Sequence, residues 1–236
     1  EIDDLVGIGM GLAESNPGAR VAGVKDGRFE CAEVTIDRGN KTITIDFGDG
    51  CQGPNGRVRS GKIIMIYTGF RFLPGTVITS TLEDFSIDGR LIEGTRTVEN
   101  VSESVADNPK FHITLLDGKI TFLDGTIATR EVDRLRIWVR AVNPVNDEYH
   151  ILESSTASGL NRQGVNYEVT VLETLVYKRN CREGRRFLPV SGAKEIKKGE
   201  DLITIDFGDG ECDNIITITF NGRIETIEIS PINSDS

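Results

Sequence analysis

Side chains able to do chemistry fall into three groups in this chain: paired aspartates, a run of arginines around one tryptophan, and four cysteines. The aspartates sit in an octet written twice, Ile43-Thr44-Ile45-Asp46-Phe47-Gly48-Asp49-Gly50 and Ile203-Thr204-Ile205-Asp206-Phe207-Gly208-Asp209-Gly210. Calcium takes clustered carboxylates and carbonyls on a bent loop. Asp206, Asp209 and Asp213 are therefore the calcium candidates. An EF-hand loop needs acids at alternate positions and a Glu at the twelfth, and that pattern is missing. Turn chemistry explains the same residues more simply: Gly accepts positive φ and Asp bonds its own backbone. The expectation is a strand end and a turn, with no metal.

The arginines follow Arg130. Arg130, Val132, Arg134, Arg136, Trp138 and Arg140 alternate with Asp133, Leu135, Ile137, Val139 and Ala141. Period two puts the two sets on opposite faces of a strand. Arg134, Arg136, Trp138 and Arg140 then form a candidate platform for a glycan or an anion, with the indole stacking and the guanidiniums making forked contacts. The competing reading is a solvated face paired to acids such as Glu131, Glu148 or Glu153.

Other chemistry finds little support. There is no Gly-x-Ser-x-Gly elbow, no phosphate loop and no dinucleotide fingerprint. His112 and His150 lie in alternating segments and read as ordinary strand residues. Two carboxylates across a groove could cleave glycosides, but 37 acids offer no way to name the pair. No catalytic residue and no cofactor is expected.

The chain has 236 residues, 26 glycines, seven prolines and a formal net charge of −10. That charge disfavours a nucleic-acid partner. No apolar run approaches the ~18 residues of a membrane span. Cys31, Cys51, Cys181 and Cys212 include no Cys-x-x-Cys pair, so disulfides are expected rather than zinc. Three pairings exist. Cys31–Cys51 with Cys181–Cys212 is preferred because each bond encloses one octet.

These residues need strands to position them, and strand text runs almost unbroken from Cys31. Alternating segments are read at 34–36, 42–47, 62–68 after Gly61, 76–87, 90–101, 110–116, 119–123, 126–142, 148–157, 165–178, 202–207, 215–220 and 223–229. Asp88-Gly89, Asp117-Gly118, Asp124-Gly125 and Asn221-Gly222 are read as hairpin turns. Residues 102–109, 143–148 and 158–164 are read as polar loops, 180–200 as basic and irregular, and 231–236 as a disordered tail. The one helix is expected over 1–16, ended by Asn16-Pro17-Gly18 and weakened by Gly7, Gly9 and Gly11. The fold expected is mainly β: a long antiparallel meander forming a curved sheet, sandwich or half-barrel with one short N-terminal helix. It is read as a single domain over 1–236. Residues 1–20 form the helical segment. Residues 30–230 form the β domain, with related hairpins near 41–51 and 201–212.

Two resemblances add to this. The octet resembles the Trp-Asp-Phe-Gly-Asp-Gly signature of polycystic-kidney-disease-type repeats, β-sandwich modules of surface proteins. Here Ile45 and Ile205 replace the tryptophan and the later His-x-Tyr segment is absent, so the likeness is read as shared turn physics. Over roughly residues 30–230, an ordered series resembles a group of exported Bacteroidetes proteins, mostly predicted lipoproteins, with no established activity. The series includes Gly61-Lys62-Ile63-Ile64, Ile92-Glu93-Gly94-Thr95-Arg96, Arg136-Ile137-Trp138, Ser158-Gly159-Leu160-Asn161-Arg162 and the second octet with Cys212. The resemblance implies a signal peptide, export to the periplasm or outer-membrane surface, and a lipid anchor on a cysteine upstream of Glu1, a leader this sequence lacks.

The reading of function is a non-catalytic binding or structural module for a glycan or another cell-envelope component, touching membrane only through that anchor. Two alternatives stand beside it. One is a glycan hydrolase using paired carboxylates. The other is a lipid or lipoprotein carrier with an apolar concave face, lined by Val165, Tyr167, Val169, Val171, Leu175 and Tyr177. A large apolar cavity favours the carrier, a cleft with two carboxyls favours the hydrolase, and a flat face around Trp138 favours the platform.

Overall fold

The computed structural model describes residues 2–15, 27–54, 56–182 and 188–229. It contains one helix, α1 (Ile2–Ser15). The strands are β1 (Glu33–Asp37), β2 (Thr42–Asp46), β3 (Cys51–Gln52), β4 (Val58–Tyr67), β5 (Val77–Ile87), β6 (Arg90–Asn100), β7 (Lys110–Thr121), β8 (Ile127–Val139), β9 (Glu148–Ile151), β10 (Thr156–Leu160), β11 (Asn166–Lys178), β12 (Ser191–Lys198), β13 (Asp201–Asp209), β14 (Ile215–Phe220) and β15 (Arg223–Glu228). They make one 15-stranded antiparallel sheet in nearly sequential order, with β3 beside β4 and β9 between β8 and β11. This is the curved antiparallel meander with an N-terminal helix that the alternation implies. Asn16-Pro17-Gly18 and the tail 231–236 lie outside the described residues.

One face of this sheet can be followed across its whole width. Direct cross-strand partners run Ile43, Met65, Ser80, Arg96, Leu115, Val132, Ala157, Val169, Ile196, Ile203 and Phe220. Directly opposed residues share a face, so α1, the arginines of β8 and both octets look onto the same side. α1 covers the β1 edge of that side. Leu5, Val6 and Met10 are buried against Ile43, Ile45, Ile63 and Met65. Each such side chain contributes roughly 1.5–3 kcal/mol. Gly9 is part of this contact, because a Cβ there would lie 2.7 Å from Met65 Cε. A second core of Ile151, Val171, Leu175, Phe207 and Ile216 fills the other end of the same face.

Four sequence readings are corrected. Asp117-Gly118 is no hairpin turn: β7 runs through it with a register shift between Leu115 and Gly118. Gly61 lies inside β4 at a similar shift rather than ahead of it. The stretch 180–200 contains β12, paired to β11 and β13. The segment 148–157 is two strands broken at 152–155, and β10 extends to Leu160, inside the loop expected at 158–164. The shifts recur on β5 and β6. Bulges of this kind sharpen local twist and bend the sheet, and here they bend the middle strands around one face.

The octets diverge in detail. Asp46 Oδ1 accepts from Gly48 N and Asp206 Oδ1 from Gly208 N, each at 2.8 Å. The first copy leaves its strand at Asp46, whereas β13 continues to Asp209. Disulfides join Cys31 to Cys51 and Cys181 to Cys212, with Cα separations of 5.4 and 5.3 Å. They pin opposite ends of the sheet. Two disulfides fit folding in an oxidising compartment.

Candidate functional site

The bend leaves a cavity of about 560 Å³ on the arginine-bearing face, between the core under α1 and the second core. That is within the usual ~300–1,000 Å³ of small-molecule sites. Alternation builds its wall. Leu82 and Ile92 come from β5 and β6, and Ile113, Leu115 and Ile120 from β7. β8 gives Ala128, Val132 and Arg134, and Leu160 and Tyr167 come from β10 and β11. Leu82 and Ile92 also pack on the α1 core. Glycines keep the bulged strands close: a Cβ on Gly94, whose φ is +132°, would come 2.9 Å from the Cα of Gly118.

The polar part of the wall is mostly cationic. Its bases are Arg96, Lys119, Arg130, Arg134 and Arg162, and its one described carboxylate is Glu93. Lys119 Nζ sits 2.6 Å from Glu93 Oε2. Arg162 pairs with Asp124 at the hairpin tip and lies over the Phe122 ring. Hydrogen bonds from the Thr126 hydroxyl and backbone N–H, and then from Arg162, lower the pKa of the Asp124 carboxyl to about 2. Arg96, Arg130 and Arg134 also line this wall, in a chain of net charge −10.

Lys194 on β12 shares the face, through Val171 opposite it. Burial first, then the charges of Arg130 and Arg134, lower its pKa. Burial raises the pKa of Tyr177, and Arg134 opposes that shift. Ser80, only 2% exposed and directly opposite Arg96, has no hydrogen-bond partner for its Oγ among the described residues.

The four platform residues are divided by this architecture. Arg134 faces the cavity. Arg136 lies over the Phe111 ring, 5.7 Å from its centroid. Trp138 packs between Phe72 and Tyr149 and donates from Nε1 to Asp147 Oδ2 at 3.0 Å. Arg140 donates to the Asp107 carbonyl at 2.6 Å, holding the loop at 102–109. Trp138 thus sits in a packed aromatic cluster, where Asp147 also accepts from Ala141 N.

Of the calcium candidates, Asp206 bonds Gly208 N and Asp213 bonds Ile215 N, while Asp209 is exposed at the end of β13. No group of three or more metal-ligating side chains occurs among the described residues. His112 and His150 lie 2.7 Å from Asp133 Oδ1 and 2.8 Å from Glu148 Oε2 on the sheet surface. Of the residues along 165–177, Tyr167 lines the cavity, Val171 and Leu175 belong to the second core, and Tyr177 packs against it. Sequence reasoning missed Arg96, Ser80 and Lys194, which lie on strands other than β8. Interior glycines at 61, 94 and 118 were the available signal of bulges and hence of curvature.

No family model matches the chain, nor does any curated protein or solved structure.

Proposed function

We propose that this protein is an exported, non-catalytic binding protein that carries an apolar or amphipathic molecule in the bend of its sheet. One observation supports this reading: a half-open cavity of about 560 Å³ with a mainly apolar wall, in the middle of the sheet. Apolar side chains lining an open hollow of that size stay in contact with water, which is unfavourable. A hydrocarbon ligand would displace that water. The two disulfides support export, and the sequence resemblance points to the periplasm or the outer-membrane surface. The hydrolase reading has less behind it, since the wall carries one described carboxylate and Lys119 engages it.

The test is a titration of delipidated, oxidised protein with a lipophilic fluorescent fatty-acid analogue. Wild type is compared with Val132→Trp and Ala128→Trp, which fill the cavity from β8. Both variants should lose at least about tenfold in affinity while keeping the wild-type circular dichroism spectrum. Unchanged affinity in a folded variant contradicts the proposal.

A further inference from the structure

We propose that the carried molecule is a single unbranched alkyl chain with a polar end, about 16 carbons long, lying along β7 and β8 in the hollow. This rests on the carrier reading and narrows it to a ligand class: one-chain lipids, one per protein.

The shape of the hollow carries the inference. Six neighbouring strands, β5, β6, β7, β8, β10 and β11, contribute to its wall. Its length follows the strands: on β8 the wall runs from Ala128 to Arg134, and on β7 from Ile113 to Phe122. At about 3.3 Å per residue the β8 stretch is about 20 Å long. A volume of about 560 Å³ spread over that length leaves a mean cross-section of roughly 28 Å². Non-bonded carbons pack about 4 Å apart, so one alkyl chain needs about 16 Å² and two side by side about 32 Å². One chain fits and a second does not. A group the size of water takes ~30 Å³ in a liquid, so the hollow holds roughly 19 such groups. A chain of about 16 carbons with a small polar end supplies that number.

The two ends of the hollow differ. Past Ile113 the same face closes into a buried cluster of Val98, Phe111 and Ile113. Arg136 lies over the Phe111 ring there, and Phe72 packs against both Phe111 and Trp138. At the other end the wall finishes at Phe122, Leu160 and Arg162, and Leu123 in the β7–β8 turn is 79% exposed. Arg162 donates from Nε to Thr126 Oγ1 at 2.8 Å and pairs with Asp124, tying the β10–β11 turn to the β7–β8 hairpin. A chain therefore meets a floor at one end, and excess length runs out into water at the hairpin end. Each methylene inside the hollow adds affinity by leaving water, and each one outside adds none. Selection by length then takes the form of a plateau.

The experiment displaces a bound fluorescent fatty-acid analogue with straight-chain carboxylates of about 8 to about 20 carbons. Affinity should rise roughly threefold to fourfold per added methylene and level off at about 16 carbons. In Val132→Phe, which adds about four heavy atoms to the wall, the levelling should come about four carbons earlier. Native mass spectrometry follows incubation with equal amounts of one-chain lysophosphatidylcholine and two-chain phosphatidylcholine. It should show one lysolipid per protein and no two-chain lipid. Affinity that climbs steadily through the whole series, or retention of the two-chain lipid, overturns the single-chain assignment and leaves the carrier reading intact. Levelling at an unchanged length in folded Val132→Phe overturns the placement of the chain along β8. No displacement by any carboxylate, with no lipid in the mass spectrum, overturns the carrier reading itself. The wild-type series and the lipid comparison decide the matter even if Val132→Phe fails to fold.

Discussion

At the residue scale, side chains of one strand face have separate duties. Trp138 looks from the sequence like a stacking surface, but its indole N–H satisfies Asp147, which is 2% exposed. Trp138→Phe would leave that buried carboxylate short of a donor. Such a loss costs about 1–3 kcal/mol, which chemical denaturation should register, with amphiphile affinity unchanged within about twofold. Lys194 gives a prediction with a pH sign. Its folded pKa lies below its ordinary value, for burial and because of Arg130 and Arg134. The unfolded chain therefore binds more protons in the window between the lowered folded pKa and the unfolded value of 10.5. Stability contributed by this site should rise with pH through that window. Lysine-resolved NMR titration of the folded protein, with chemical denaturation across the same pH range, checks it. Period two placed Arg134 and its neighbours on one face from sequence alone. Whether that face is concave or convex was not legible, because curvature depends on bulges formed with strands far away in the chain.

At the element scale, the hairpin vocabulary of the sequence proved dependable where the chain reverses. Asp88-Gly89, Asp124-Gly125 and Asn221-Gly222 join paired strands. Asp117-Gly118 uses the same letters for a bulge, with Asp117 at φ +54°. Both structures need positive φ, and only the partner strand distinguishes them. β12 was hidden by a basic composition that resembles a loop, yet Lys194, Ile196 and Lys198 alternate with Ala193, Glu195 and Lys197 in a regular ladder. The bulges have a predicted role. A Cβ at position 118 would lie 2.3 Å from the Arg130 carbonyl oxygen and 2.8 Å from Leu115 Cδ2. Gly118→Ala should cost about 1–3 kcal/mol, as overpacking does, and should weaken amphiphile binding because the bend itself shifts. The α1 docking surface is a separate unit. Met10→Ala removes a side chain that is 1% exposed. It should lower stability by about 2–5 kcal/mol, with little effect on amphiphile affinity, since no described α1 residue lines the cavity.

At the scale of the whole molecule, the sheet of the described residues runs from β1 to β15 and is stapled near both ends. Each disulfide fixes a segment that leads into or out of an octet, and the Cys31–Cys51 bond spans 20 residues. A loop of that size is worth about 3 kcal/mol through the unfolded chain. Cys31→Ser with Cys51→Ser should lower unfolding free energy by about that amount in non-reducing denaturation, with binding retained. Between the staples, one face carries three zones in order: a helix-covered core, a cationic apolar cavity and a second core. The central claim is that the middle zone holds a ligand. Methyl-resolved NMR of the Ile, Leu and Val side chains, on addition of a long-chain carboxylate, tests it most directly. The account predicts saturable shifts concentrated at Ile113, Leu115, Ile120, Val132 and Leu160, with Ile43, Ile63 and Ile216 nearly unmoved. Shifts confined to the exposed side chains of Ile66, Leu73 or Ile224, or no saturable shifts at all, would contradict it.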